Sequence, residues 1–209
     1  PEDAIILSWW DTSRQIGLLT GRDTLFPSHH GEPVIIPSHW RERSEAIKNY
    51  EEEFWGAPAP AEERRKLQRF ADALVADVDK GSEILRELAG SREAYVVLHV
   101  SDLYKLGLMR PKSLDLAYKD FPMNSANMHG LVNTVKRFKV ENNYTTYTLQ
   151  SLGDRAVRGY FLSNGQDTLL AQMLPFTETR PLELTKIQLI YQHGGYWVYK
   201  IPPVAPPAG

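Results

Sequence analysis

Histidine and carboxylate side chains at short spacing are the residues of this sequence that could do chemistry. His99 and Asp102 are three residues apart in an apolar stretch, where the carboxylate could orient the imidazole as an acid or base. His29, His30 and Glu32 could supply three donors to a metal ion. Adjacent histidines in a loop diverge, however, and a histidine at the border of an apolar face is more often structural. Each group therefore has a structural explanation that outweighs the chemical one.

Proton transfer in a pocket needs more than one group, and two tyrosines of the predicted sheet are candidates to join the first pair. Tyr147 and Tyr160 could face a ligand together with His99 and Asp102. No serine lies in a G-x-S-x-G context, and the chain has no cysteine to serve as nucleophile, metal ligand or disulfide. The sequence therefore predicts no cofactor. A small-molecule-binding protein or an enzyme remains the alternative to a non-catalytic protein.

Aromatic side chains are abundant, with five Trp and ten Tyr in 209 residues. Aromatic rings combine a large apolar area with a polar tip, which suits ligand sites and protein interfaces alike. Core anchoring together with a protein interface is the favoured explanation. The candidate interface residues are Trp9, Trp10, Trp40, Trp55 and Trp197.

The charges nearly cancel, with 24 basic and 26 acidic side chains. Without a net positive field the chain is not expected to bind nucleic acid. No apolar run approaches the roughly 20 residues that span a bilayer, so membrane contact is expected only through an anchor outside this sequence or through a partner. The expected partners are other protein subunits.

The first two thirds of the chain, residues 1–142, show mainly helical periodicity. We expect helices near residues 4–20, from Ser38 to about residue 55, over 61–89, over 95–106, from Leu114 to Pro122 and after Ser125. The Val96-Val97-Leu98 run fits a buried helix or a strand, and the apolar positions that continue to Leu106 favour the helix.

The last third, residues 143–201, changes to strand periodicity. Turn pairs at Gly153-Asp154, Asn164-Gly165 and Gly194-Gly195 separate runs rich in Tyr, Thr, Val and Ile. They predict strands over 144–152, 155–163, 168–176, 182–192 and 195–201, with a bulge near Thr185-Lys186. The fold class is therefore α+β, with N-terminal helices packed on a curved antiparallel meander of about five strands. Residues 1–200 form one domain and 202–209 a Pro-rich tail.

A helix opening on Pro-Glu-Asp-Ala with a Trp-Trp pair, and a last strand Gly-Gly-Tyr-Trp-Val-Tyr-Lys-Ile after further helices, resembles the nuclear transport factor 2-like superfamily. The resemblance covers the two ends of the chain. It implies a cone-shaped domain. Members of that superfamily include lyases and isomerases with acid–base residues in the cone, ligand binders, and periplasmic assembly components of type IV secretion machines.

These patterns together favour a non-catalytic accessory or assembly subunit of a cell-envelope complex. The sequence begins at Pro1 rather than Met, which fits either the removal of a signal, anchor or tag or a sequence that lacks its first part. The expected location is the periplasm or cell envelope, with the cytoplasm as the alternative. The alternative function is a small-molecule-binding protein, or a lyase or isomerase, with a conical pocket.

Overall fold

The computed structural model describes residues 1–27, 42–55, 61–123, 128–177 and 187–203. The helices are α1 (Trp10–Thr20), α2 (Ser44–Trp55), α3 (Ala61–Val75), α4 (Val78–Ala89), α5 (Asp102–Met109), α6 (Met128–Glu141) and α7 (Leu169–Met173). The strands are β1 (Ile5–Leu7), β2 (Asp23–Thr24), β3 (Ala94–His99), β4 (Leu116–Pro122), β5 (Thr146–Ser151), β6 (Ala156–Leu162), β7 (Gln188–His193) and β8 (Tyr196–Ile201). The predicted α+β class is confirmed.

The larger sheet has five strands in the order β2-β1-β3-β8-β7. β1 pairs in parallel with both β2 and β3, whereas β3–β8 and β8–β7 are antiparallel. Because two neighbouring strands of one direction need a crossover between them, α1 connects β1 to β2 and the pair α3–α4 lies in the connection from β2 to β3. The first and last strands of the chain thus meet in one sheet around β3.

Helices α3, α4 and α7 supply much of the main core together with the buried faces of β1, β3 and β8. Phe70 and Leu74 of α3 and Leu85 of α4 are fully buried. The α4 helix begins where the Asp77 side chain accepts a hydrogen bond from Lys80 N at 2.9 Å, a typical N-cap. The apolar faces of α3 and α4 are thus buried in the same core as the larger sheet.

The smaller sheet has three antiparallel strands in the order β4-β6-β5. One face carries Phe121, Tyr147 and Phe161, which pack with Leu131 and Val135 of α6 in a second, smaller apolar cluster. The opposite face turns Tyr160 and Leu162 into the main core. Alternation along β6 therefore serves both clusters at once.

Several elements differ from the sequence-based expectation, and each difference follows from pairing with distant residues. Ile5–Leu7 and Ala94–His99 are strands because they pair with each other in the centre of a sheet, where a short apolar run can be buried on both faces. The segment after Leu114 is strand β4 rather than a helix, because it pairs along its whole length with β6. Residues 1–142 thus contribute four strands to the two sheets.

The C-terminal third also divides differently. Its antiparallel hairpins β5–β6 and β7–β8 form as expected, but they belong to different sheets rather than to one meander. The expected strand over 168–176 is wrong: Thr168 caps α7 by accepting from Ala171 N, so the chain turns into a short helix buried in the main core. The bulge lies between Leu189 and Tyr191, whereas Thr185-Lys186 is outside the described residues. Whether residues 1–200 are one domain stays a prediction.

Within the described ranges, none of the helices has the length and apolar character that crossing a membrane requires.

Candidate functional site

The parallel strands β1 and β3 end side by side, and their carboxyl ends lead into α1 and α5. In open sheets this position commonly holds a ligand or a functional cluster, because neighbouring strand ends meet at one edge. Here it brings together two groups of residues that we call the β1–β3 junction. Its members are Trp9, Trp10 and Asp11 after β1, and His99, Ser101, Asp102 and Lys105 around the end of β3.

Asp102 is the most deeply buried ionisable group of the junction, with 2% of its surface exposed. Its Oδ2 accepts a hydrogen bond from the backbone N–H of His99 at 2.8 Å, and its Oδ1 lies 3.1 Å from Lys105 Nζ. Burial raises the pKa of Asp102 to about 6, against the opposing effect of the Lys105 ammonium. The carboxyl therefore holds the turn between β3 and α5 closed.

Lys105 joins the two halves of the junction. Its Nζ also lies 2.7 Å from Asp11 Oδ2, and it sits 5.7 and 5.5 Å from the ring centroids of Trp9 and Trp10. Burial works against its charge, but the carboxylates of Asp102 and Asp11 outweigh this effect and raise the pKa of Lys105. A lysine held in its charged form by two carboxylates and two indole faces ties α5 to α1.

The His99 imidazole is held by the turns on either side of it. Its Nδ1 lies 2.6 Å from Ser101 Oγ and accepts from the backbone N–H of Ser101 at 3.2 Å. An Nδ1 that accepts from Ser101 N–H leaves the proton of the neutral ring on Nε2. A backbone hydrogen bond with Gly194 acts to raise the pKa of the ring. The Tyr196 ring packs at 4.6 Å between centroids, and burial lowers the pKa of His99. The ring thus fastens the β7–β8 turn to the end of β3.

The two tyrosines predicted to complete a pocket lie on the smaller sheet. Consecutive residues of a strand face opposite sides, and β5 pairs Tyr147 with Phe161 but Thr148 with Tyr160. Tyr147 consequently packs against α6 in the second cluster, while the Tyr160 hydroxyl donates to Gln150 Oε1 at 2.8 Å. The structure brings His99 and Asp102 together and leaves Tyr147 and Tyr160 on opposite faces of another sheet.

The predicted interface tryptophans have different surroundings. Trp9 is fully buried, with its ring 5.4 Å from Phe70 and 6.2 Å from Trp10, so it anchors the core. Trp10 and Trp197 are half-buried and pack against the same core. Trp40, His29 and His30, and the Trp55 side chain, are outside the described residues. In the part of the chain that is described, no three His, Asp or Glu side chains are grouped to hold a metal ion.

Two features escaped the sequence reasoning. Lys105 lies near Asp11 only because α1 and α5 follow adjacent strands. No local sequence pattern predicts that these two helices are neighbours. The exposed apolar residues of the β7–β8 hairpin, in contrast, had a visible signal. The thirteen residues 187–199 contain no Asp, Glu, Lys or Arg, although 24% of the chain is charged and about three would be expected.

The fold is of the α+β class, and the charged side chains of the β1–β3 junction, Asp11, Asp102 and Lys105, bind one another. The chain belongs to the family described as HaoA-associated protein HaoB, whose model matches residues 1–201. The family is thus named for its association with another protein. A search of curated proteins gives no match.

Among solved structures, the fold is similar to the C-terminal domain of PglB from C. jejuni, with a TM-score of 0.52 and 10% sequence identity. The match covers 96% of this chain and 94% of that domain. At this identity the likeness concerns the fold alone. Neither match supports the resemblance to the nuclear transport factor 2-like superfamily.

Proposed function

We propose that this chain is a non-catalytic accessory subunit that binds HaoA through protein–protein contacts. The observation that carries the proposal is the family match over residues 1–201, because the family is described by its association with HaoA. The match spans both sheets and all seven described helices, so it concerns nearly the whole chain rather than one segment of it.

The geometry of the β1–β3 junction supports a non-catalytic role. A catalytic acid or base must reach its substrate with a free proton or lone pair. The His99 ring bonds through Nδ1 to Ser101 and also makes a backbone hydrogen bond with Gly194, and the carboxylate of Asp102 is bound by a backbone N–H and by Lys105. These groups stabilise the fold by binding other parts of the same chain.

A location in the cell envelope is part of the same proposal. A chain without cysteine has no thiol to mispair in an oxidising compartment, and a reducing cytosol is equally compatible with it. Fractionation of the source cells tests this part: we expect the chain with HaoA in the envelope fractions, and recovery with cytoplasmic markers would contradict it.

The binding test uses the purified chain and purified HaoA. We expect one complex that elutes ahead of both components in size-exclusion chromatography, with a saturable heat of binding in calorimetry. An unrelated protein of similar size and net charge serves as the control for non-specific association. If HaoA and the chain elute separately at tens of micromolar, where a complex with a Kd of about 1 μM would be mostly formed, the proposal fails.

A further inference from the structure

The outer strand of the larger sheet presents an apolar edge to solvent. All six residues of β7 are exposed, among them Leu189 at 41%, Ile190 at 46% and Tyr191 at 53%, and Tyr196 at the start of β8 is 40% exposed. We call these four side chains the β7 edge surface. Single exposed apolar residues are ordinary, but four on one hairpin are a concentration typical of binding sites.

In the described part of the chain, the main chain of this edge is also without a neighbouring strand. Among the described residues β7 pairs with β8 on one side, and no described strand lies on its other side. Natural sheets usually protect such an edge with lysine, proline or an inward-pointing charge, because its unpaired N–H and C=O groups attract another strand. The run 187–199 contains none of these residues, and the bulge between Leu189 and Tyr191 is the one protective feature on the described part of β7. On either side of this bulge the edge can accept a strand.

We infer that an extended, uncharged segment of HaoA adds to the larger sheet along β7 and buries the β7 edge surface. The inference rests on the proposed function and names the surface that performs it. In this mode of recognition, main-chain hydrogen bonds supply affinity and alternate side chains supply specificity. The segment is uncharged because a charged side chain buried against Leu189, Ile190 and Tyr191 would lose its hydration without a partner.

Two observations favour a segment of HaoA over a second copy of this chain. The family is described by its association with HaoA, so HaoA is the partner that the family match names. In a symmetric antiparallel pairing centred on Ile190, the bulge between Leu189 and Tyr191 would meet its own copy, and two kinks would interrupt the ladder.

The test compares two substitutions of an exposed apolar residue by lysine. Ile190→Lys places a charge in the middle of the β7 edge surface, and Leu19→Lys places the same charge on α1, at a residue 86% exposed and on the side of the sheet that ends in β2. We expect Ile190→Lys to weaken HaoA binding at least tenfold and Leu19→Lys to leave it unchanged. Circular dichroism and thermal melting verify that both variants fold.

Hydrogen exchange of the unsubstituted chain gives a readout that needs no variant. The outward-pointing amides of β7 should exchange at least tenfold more slowly in the HaoA complex than in the free chain. If HaoA binds but Ile190→Lys binds equally well and β7 exchange is unchanged, this inference is wrong while the proposed function stands. If the chain does not bind HaoA, both fail. Self-association that Ile190→Lys abolishes would assign the edge to a second copy and overturn the inference.

Discussion

The side chain of Asp102 binds the backbone of His99, with the carboxylate Oδ2 2.8 Å from His99 N. The His99 imidazole has a different partner, since its Nδ1 lies 2.6 Å from the hydroxyl of Ser101. A spacing of three residues, which suggested a carboxylate orienting an imidazole, instead closes the turn that follows β3. The two side chains point to different partners, because the backbone turn places the Asp102 carboxylate over the N–H of His99. The junction is therefore a source of stability and of measurable pH dependence.

Asp102 should make the stability of the protein depend on pH in an unusual direction. Burial raises the pKa of this carboxyl from 3.8 to about 6 in the folded chain. Protonated Asp102 favours the folded state below pH 4, and this contribution is lost as the pH rises through 6. Two pKa units correspond to roughly 3 kcal/mol. The free energy of unfolding of the unsubstituted chain should fall by about this amount, relative to Asp102→Asn, between pH 4 and pH 7.

The comparison with Asp102→Asn isolates this carboxyl, because other groups titrate in the same window. Burial lowers the pKa of His99, which by itself destabilises the fold as the pH falls through the ordinary histidine range. That effect is common to both proteins and cancels in the difference. Urea unfolding at several pH values gives the measurement. A difference that stays flat from pH 4 to pH 7 would show that Asp102 ionises without a penalty from burial.

Gly195 should tolerate a side chain less well than its neighbour Gly194. Both have positive φ in the β7–β8 turn, 59° at Gly194 and 84° at Gly195, so either alanine costs roughly 1 kcal/mol in backbone strain. At Gly195 a Cβ would also lie 2.8 Å from His99 Nε2, whereas nothing lies within 4 Å of one at Gly194. We expect Gly195→Ala to lower the free energy of unfolding by about 1 kcal/mol more than Gly194→Ala.

An NMR titration of His99 provides a second readout for this pair of variants. Displacing the ring from its turn exposes it to water, so the lowered pKa of His99 should rise towards the ordinary histidine value in Gly195→Ala and remain low in Gly194→Ala. Equal stabilities and equal His99 titrations in the two variants would contradict the close approach of Gly195 to the imidazole.

The sequence predicted those parts of the fold that depend on neighbours along the chain. The Gly194-Gly195 and Gly153-Asp154 turns were found because glycine at positive φ joins two alternating strands, a signal contained in about twelve residues. The amphipathic stretch over 61–89 was recognised for the same reason, but as one helix, whereas Asp77 begins a second helix and divides the stretch into α3 and α4. His99 and Asp102 were recognised as a pair because three residues separate them.

The parallel pairing of β1 with β3 could not be predicted, because its partners are about 90 residues apart in the sequence. Without that pairing, short apolar runs such as Val96-Val97-Leu98 fit a helix as well as a strand. The position of Lys105 between α1 and α5 depends on the same pairing. Thr168 shows a different limit: its side chain caps α7, and this local signal was outweighed by the apolar residues that follow.

Two threonines on one strand should respond oppositely to the same substitution. Thr146 and Thr148 are both buried on β5, but the Thr146 hydroxyl donates to the Thr177 carbonyl, whereas the Thr148 hydroxyl has no hydrogen-bond partner among the described residues. Valine keeps the shape and removes the hydroxyl. Thr146→Val should cost about 1 kcal/mol, and Thr148→Val should be neutral or stabilising by up to about 1 kcal/mol. Chemical denaturation measures both, and equal losses would contradict the assignment.

Gly81 lies inside α4, where alanine would normally stabilise a helix by about 1 kcal/mol. A Cβ at this residue would lie 2.5 Å from the Ala73 carbonyl oxygen of α3 and 2.8 Å from Leu169 Cδ2 of α7. Because the nearest atom belongs to a backbone, the helices must separate, and overpacking of this kind costs about 1–3 kcal/mol. We therefore expect Gly81→Ala to destabilise the protein by about 2 kcal/mol in chemical denaturation.

Gly107→Ala is the matched control, because Gly107 lies inside α5 and the nearest atoms to a Cβ there would be Leu116 Cβ and Cδ2, both at 3.3 Å. A side chain can move by a few tenths of an ångström, so the helix propensity gained should offset the contact and keep this variant within about 1 kcal/mol of the unsubstituted chain. A lower free energy of unfolding for Gly81→Ala than for Gly107→Ala would show that the packing of α3 on α4 requires glycine at residue 81. Equal stability of both variants would mean that α3 and α4 lie farther apart than the structure places them.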